Sequence, residues 1–470
     1  MSSQAPTNRI TPSNEKVPLT GTGFTDDKRN DAESFSTTAE QTEPHEPDSA
    51  THPEGGWRAW GVVLGSWLAT FSSMGLMNSI GSFQAYLSRN QLSNYEADKV
   101  AWIFGVYSGV TFLAGVQVGP IFDARGPRGL MLAGGMGTVL YLLLLGLCTQ
   151  YWHFMLVFGV LGGISLSLVF GPAIAIVAHY FHRRRGLATG IASSGSSFGG
   201  LAIPLMLENL FTKIGFAWTT RVMALICLVT SIIALVFIRR RFPTKPITMS
   251  KIRPDITAFS RTAFTFTSLG VFFMEWGLFI PLSYLTSYGL DQGLSSQFSS
   301  LLLALINGCA VFGRWIPGYY ADRYGRFNVL IITIVGCVLS NACLWLTAGS
   351  SEALLTVFAV VFGFFSGGNL SLAPVCVGQL CKLESYGRYY ATAYLLVSIR
   401  YIVPSPDILC LLTCTSTLTG IPIAGELLKR CDGSYYGVIA FTVASYVASF
   451  FCLVTAKICH CGIGKIWCAF

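Results

Sequence analysis

Gly119-Pro120-Ile121-Phe122-Asp123-Ala124-Arg125-Gly126 and Gly318-Tyr319-Tyr320-Ala321-Asp322-Arg323-Tyr324-Gly325 spell one pattern twice, G-x-x-x-D-x-x-G, with Arg128 and Arg326 just beyond. Each copy ends the second long apolar stretch of its half of the chain. Glycine supplies the positive φ that a short turn requires. The Asp suits the head of the following helix, where it can accept free N–H groups and pair with a nearby Arg. One charged turn would mean little, but two in register mark an internal repeat. Such repeats build helical membrane folds whose working site lies near the midplane between the halves.

Outward from these loops, the composition is that of a chain in lipid. Charged residues make up 11% of the 470 positions, well below the roughly 25% of a soluble domain. An Asp, Lys or Arg at a helix centre in a bilayer costs about 3 kcal/mol, which keeps these residues out of long stretches. The 49 Gly fit helices that approach one another closely. The net charge of +8 sits between the apolar stretches, so it reads as topology and not as a nucleic-acid surface. The 14 Cys are scattered, as at Cys148, Cys227, Cys309 and Cys343, without the spacing of a zinc site or a disulfide framework. Cys459, His460 and Cys461 follow the last span, where a lipid or a metal is the alternative to small packing residues.

Stretches long enough to cross about 30 Å of hydrocarbon run over Trp60–Phe83, Ala101–Phe122, Leu130–Cys148, Phe154–Ala178, Ala188–Leu210 and Thr219–Ile238. The second set is Phe264–Ser287, Phe298–Tyr320, Val329–Ala348, Leu354–Cys376, an eleventh between Gly387 and Leu428, and Val438–Ile458. The expected fold is all-α, with twelve transmembrane helices in two six-helix bundles. Residues 1–52 are polar and read as a disordered tail, neither signal nor transit peptide. Residues 53–238 form the first bundle, 239–263 a linker, 264–458 the second bundle, and 459–470 a short tail. Arg239, Arg240, Arg241, Lys245, Lys251, Arg253 and Arg261 make the linker basic. Lys and Arg favour the even-numbered loops and the C-terminal tail by roughly threefold, which puts both termini in the cytoplasm.

The paired loops resemble the signature cytoplasmic loop of the major facilitator superfamily. Pro53-Glu54-Gly55-Gly56-Trp57-Arg58-Ala59-Trp60 resembles the entry motif of the monocarboxylate-porter family. So does Tyr180-Phe181-His182-Arg183-Arg184-Arg185-Gly186-Leu187-Ala188-Thr189-Gly190, which runs into Ala192-Ser193-Ser194-Gly195-Ser196. The resemblance covers about Pro53 to Ile458, and the second-half Gly313-Arg314 and Asp322 to Asn328 are closest to the fungal branch. It implies a secondary transporter working by alternating access, with Asp123, Arg125, Gly126, Arg128, Asp322, Arg323, Gly325 and Arg326 as cytoplasmic gating loops. The branch includes porters for monocarboxylates, for riboflavin and for products of biosynthetic clusters. Read physically, Arg183, Arg184 and Arg185 anchor a helix at anionic headgroups, and Gly190, Gly195, Gly199 and Gly200 make a smooth packing face.

Ionisable residues inside spans are candidates for function. Arg314 matches the family's intramembrane Arg, which the resemblance implies binds a substrate carboxylate; a guanidinium can hold one through two parallel hydrogen bonds. Where the family often has an Asp one turn earlier the chain has Ala310, and where it often has a Lys in the first span it has Asn78. The family's proton-coupling scheme therefore does not carry over. Glu275, in Phe272-Phe273-Met274-Glu275-Trp276-Gly277, is the leading replacement as proton carrier. Asn78, Gln84, Asn307, Asn369 and Gln379 are polar positions that can line a cavity, with Asn78, Asn307 and Asn369 chosen as substrate contacts. Tyr86, Trp102, Tyr107, Tyr284 and Tyr288 lie toward span ends and read as the interfacial aromatic belt.

Residues 387–428 are too long for one span, and two spans would leave an odd number. Removing about 400–416, which holds Arg400 and Pro404-Ser405-Pro406, would restore one ordinary span. A gene-model insertion is one reading, and a real insertion that breaks the helix is the other. No nucleophile motif, metal-ligand helix or phosphate loop points to an enzyme, and no cofactor is implied. The expected function is transport of a small organic anion or related metabolite across the plasma membrane, with a proton as coupling partner. Export of a fungal secondary metabolite and a transporter-like nutrient sensor are the alternatives. The bilayer and the solute are the only partners; neither nucleic acid nor a protein partner is inferred.

Overall fold

A computed structural model describes residues 54–239, 256–381, 385–398 and 416–462. The N-terminal tail, residues 240–255 of the linker, the supposed insertion up to residue 415 and residues 463–470 lie outside that set.

The described chain is helical throughout: α1 Gly56–Asn78, α2 Ile80–Arg89, α3 Ala97–Arg125, α4 Pro127–Leu145, α5 Tyr151–His179, α6 Arg185–Phe237, α7 Thr262–Asp291, α8 Ser296–Tyr324, α9 Arg326–Ala348, α10 Glu352–Gln379, α11 Tyr386–Ser398, α12 Ser416–Arg430 and α13 Tyr436–Cys461. Ten of these are long and apolar enough to cross a membrane. One of the ten, α6, has 53 residues and breaks at Gly215, whose φ of 75° only glycine adopts freely, so it provides two crossings. Single glycines join α3 to α4 and α8 to α9. Gly126 (φ 81°) and Gly325 (φ 94°), the closing glycines of the repeated motif, turn the chain between one helix and the next.

Exposed apolar side chains follow helical spacing. Leu132, Met136, Leu140 and Leu143 line one side of α4, and Leu225, Val229, Ile232 and Val236 line one side of α6. Stripes of this size facing water would drive aggregation; facing acyl chains they cost nothing. The protein is an integral, multi-pass membrane protein.

Inside, apolar packing falls into three groups. The largest draws only on residues between Ala258 and Leu453, including Met274, Leu330, Phe358 and Tyr446. A second, built around Phe83, Tyr107, Tyr141, Phe158 and Met223, belongs to the earlier helices. The third lies around Ala59, Phe122, Phe181 and Ile238 and takes in one fully buried side chain from the later helices, Tyr386. Tyr107 and Tyr288 are core residues, only 1% and 6% exposed, and not members of an aromatic belt. Each lies far enough along its helix for a neighbouring helix to cover the ring, as Phe158 covers Tyr107 and Trp345 covers Tyr288. Trp102 is exposed, and Tyr86 and Tyr284 are half-buried.

Candidate functional site

The repeated loops meet helices of the opposite half. The Asp322 carboxylate accepts from the backbone N–H of Gly186 (2.8 Å) and Leu187 (2.9 Å), at the start of α6. The Asp123 carboxylate accepts from the N–H of Gly387 (3.0 Å) and Arg388 (2.8 Å), at the start of α11. The capped helix is therefore not the one that follows each Asp, as its sequence position suggested, because both carboxylates lie in the last turn of α3 or α8 and face across the molecule. The exchange is reciprocal: the first half caps a helix of the second, and the second caps a helix of the first. Each pairing puts a negative charge on free N–H groups at a helix N-terminus, where dipole and hydrogen bonds act together.

Close backbone approach makes this possible. A methyl group on Gly186 would stand 2.6 Å from the Gly318 carbonyl, and one on Gly387 would stand 2.7 Å from the Gly119 carbonyl. Arg326 adds a long ion pair to Asp322 (3.8 Å) and donates to the His182 carbonyl. Arg323 lies over the Tyr319 ring, and Arg128 donates to the Ile238 carbonyl (3.0 Å). Arg185 does not reach for headgroups. It is 5% exposed and stacks on the Tyr386 ring (4.6 Å), with a long contact to the Gly378 carbonyl, because α6 begins against the ends of α10 and α11. Arg183 and Arg184 are exposed.

Deeper along α6, the stretch Ser193–Gly200 is a junction for α1 and α8. The Ser194 hydroxyl accepts from the indole N–H of Trp67 (3.2 Å) and of Trp315 (2.9 Å). Asn78 donates to the Ser196 carbonyl (3.1 Å). Arg314, 5% exposed, donates to the Ser193 carbonyl and the Ser196 hydroxyl, while its Nε has no hydrogen-bond partner. The amides of Asn78 and Asn307 flank Gly200. Three of the four expected contacts, Arg314, Asn78 and Asn307, are thus brought together. Among the described residues, every partner of Arg314 is a neutral oxygen.

Asn369 is not part of this group. It is fully buried inside the later helices and donates to Cys337 Sγ (3.2 Å), beside Tyr446. Glu275, 3% exposed, lies within electrostatic reach of the Tyr446 hydroxyl in that interior. Gln84, in the middle of the short α2, and Gln379, the last residue of α10, are half-buried. Gly190 packs on the Arg314 backbone and Gly195 on Trp67 and Thr70, so both serve helix approach. Between α3, α5 and α11 runs a narrow cleft of about 50 Å³, lined by apolar atoms together with Thr111, Ser167 and Tyr390.

Sequence reasoning gave no role to Gly387 or Ser196. A signal for Gly387 existed: Gly186 follows Gly126 by 60 residues and Gly387 follows Gly325 by 62, so the two capped glycines are equivalent positions of the repeat. Ser196 carried none, since a Ser in a small-residue run reads as packing.

Comparison with known proteins agrees with this geometry. The sequence pattern of the Major Facilitator Superfamily matches residues 62–403. The riboflavin transporter MCH5 of Saccharomyces cerevisiae is 31% identical over 455 residues, covering 92% of this chain and 84% of that one. The aspyridones efflux protein apdF of Emericella nidulans is 34% identical over 393 residues, covering 83% and 76%. The human organic anion transporter MFSD10 superimposes with a TM-score of 0.62 at 18% identity, covering 84% of this chain and 98% of that one, a likeness of fold.

Proposed function

Since the chain belongs to the Major Facilitator Superfamily and is a membrane transporter, we propose that it moves an organic anion with a largely apolar body, outward across the plasma membrane, by alternating access. The observation that carries the anion is Arg314. A buried guanidinium held only by neutral oxygens lacks the counter-charge that normally accompanies burial, and a substrate carboxylate supplies it in bidentate geometry. The largely apolar body follows the relatives named for riboflavin transport and aspyridones efflux. Export follows the relative named for aspyridones efflux, and the fungal branch of the monocarboxylate porters is the family subdivision that Glu54 to Trp60 and Tyr180 to Ser196 favour.

The mechanism follows from the shared bonds. With both termini cytoplasmic, the reciprocal Asp caps close the cytoplasmic side between bundles 53–238 and 264–458. Arg314 spans those bundles through Ser193 and Ser196. A carboxylate bound by Arg314 competes for the same N–H groups, loosens α8 from α6, and so links substrate binding to opening. Asn78 and Asn307, on either side of Gly200, offer amides to the remaining polar groups of the solute. Glu275 exchanges the coupling proton.

Loading inside-out vesicles with a panel of organic acids and riboflavin at imposed pH gradients tests the proposal. Uptake of an apolar acid that Arg314→Gln abolishes is the expected result. Transport confined to uncharged solutes, unaffected by that substitution, would remove the anion from the account.

A further inference from the structure

The entry motif around Glu54 has no part in the transport site, yet it makes some of the shortest ordinary hydrogen bonds in the protein. Glu54 Oε1 accepts from the N–H of His182 (2.8 Å) and Arg183 (2.7 Å), and Oε2 from that of Arg184 (3.3 Å). Its own N–H donates to the Tyr180 carbonyl (3.3 Å). Glu54 has φ 48°, a left-handed backbone that costs a residue with a β-carbon about 1–2 kcal/mol. Four hydrogen bonds to the 180–184 turn hold it there. Nearby, Trp60 packs edge-on against Phe181 with ring centroids 5.2 Å apart.

The same turn is gripped from three further directions. Arg326 takes the His182 carbonyl, Asp322 takes the N–H groups of Gly186 and Leu187, and the Tyr180 hydroxyl donates to the Arg239 carbonyl (2.9 Å) at the start of the linker. Of the six consecutive N–H groups from His182 to Leu187, all but that of Arg185 therefore face two carboxylates. Glu54 comes from the same half of the chain as the turn, and Asp322 and Arg326 come from the other half. In the cycle proposed above, Glu54 stays with the turn while Asp322 and Arg326 leave it as the gate opens.

We propose that Glu54 is a positioning residue of the cytoplasmic gate. It keeps the 180–184 turn in one conformation while the gate is open, so that Gly186 and Leu187 present their N–H groups to Asp322 when the halves return. This inference rests on the gate reading given above.

Native Cys376 tests both. It is fully buried at this end in the core of the later helices, within electrostatic reach of Arg326 and of Arg185 from the other half, and its labelling is expected to rise when the gate opens and Arg185 leaves. Maleimide labelling of the full-length protein in vesicles, read at the Cys376 peptide by mass spectrometry, gives the rate of opening. Asp322→Asn alone is expected to raise that rate about tenfold, the effect of losing one charge-assisted contact; no rise would overturn the gate reading itself. Glu54→Gln, an isosteric change checked for monodispersity, is expected to raise it about fivefold in an otherwise native background. It should add almost nothing on top of Asp322→Asn, yet multiply fully with Asp123→Asn. Glu54→Asp should fall between Gln and wild type. If Asp322→Asn opens the gate while Glu54→Gln leaves labelling unchanged, or combines equally with both Asp variants, Glu54 is a local cap only and the inference is wrong.

Discussion

The two carboxylate caps are copies of one device set in different surroundings. At the α6 start, Asp322 works with Arg326, and the capped turn is anchored independently by Glu54. At the α11 start, Asp123 receives the same pair of N–H groups, and the neighbouring contacts include aromatic ones: Arg185 stacks on Tyr386, whose hydroxyl donates to the Pro374 carbonyl (3.0 Å). The α3–α11 side also borders the apolar cleft. A duplicated motif fixes where charge meets a helix terminus, while its surroundings decide how firmly. The α6–α8 side, reinforced by the second carboxylate at Glu54, is expected to be the stronger half of the gate, and the α3–α11 side, beside the cleft, the one that yields first.

The largest expected effect falls on the stronger side. Arg314→Gln should lower transport by at least about 100-fold, because it removes both the anion contact and the tie to Ser193 and Ser196. Arg314→Lys, a point charge without the fork, should recover only part of it. Initial rates in vesicles at saturating solute decide; near-native rates in Arg314→Gln would place the anion elsewhere.

Next comes the direct contrast between the caps. Asp322→Asn should speed Cys376 labelling about tenfold and Asp123→Asn about threefold. Equal effects would erase the asymmetry, and a reversed order would invert it.

Glu275→Gln concerns neither cap and sharpens the comparison by isolating coupling from gating. It should abolish the dependence of transport on a pH gradient while leaving Cys376 labelling within about twofold of wild type. PH dependence that survives the substitution would reassign the proton.

The smallest effect is expected from Trp57→Ala, since that ring is 82% exposed beside Glu54. Melting temperature in detergent should move by no more than about 2 °C. A larger loss would mean that the entry motif stabilises the fold through the indole and not through the carboxylate.

The helical architecture was legible because lipid imposes one rule on every span: few charges over about twenty residues. The repeat was legible because Gly126 and Gly325 must both turn the chain. What Asp123 and Asp322 cap was not, since the partners lie 264 and 136 residues away along the chain and nothing local names them. Arg185 looked like its neighbours Arg183 and Arg184, yet one helical step turns it from the membrane surface into the contact between halves. Asn307 and Asn369 looked alike too; one flanks Gly200 at the junction and the other is sealed against Cys337.

The gate itself can be tested in one experiment, by labelling Cys376 in the Asp123→Asn/Asp322→Asn double variant with maleimide applied from the cytoplasmic side. If reciprocal capping closes that side, labelling should run at least about tenfold faster than in wild type while transport falls. A labelling rate equal to wild type would show that the two carboxylates do not hold the halves together.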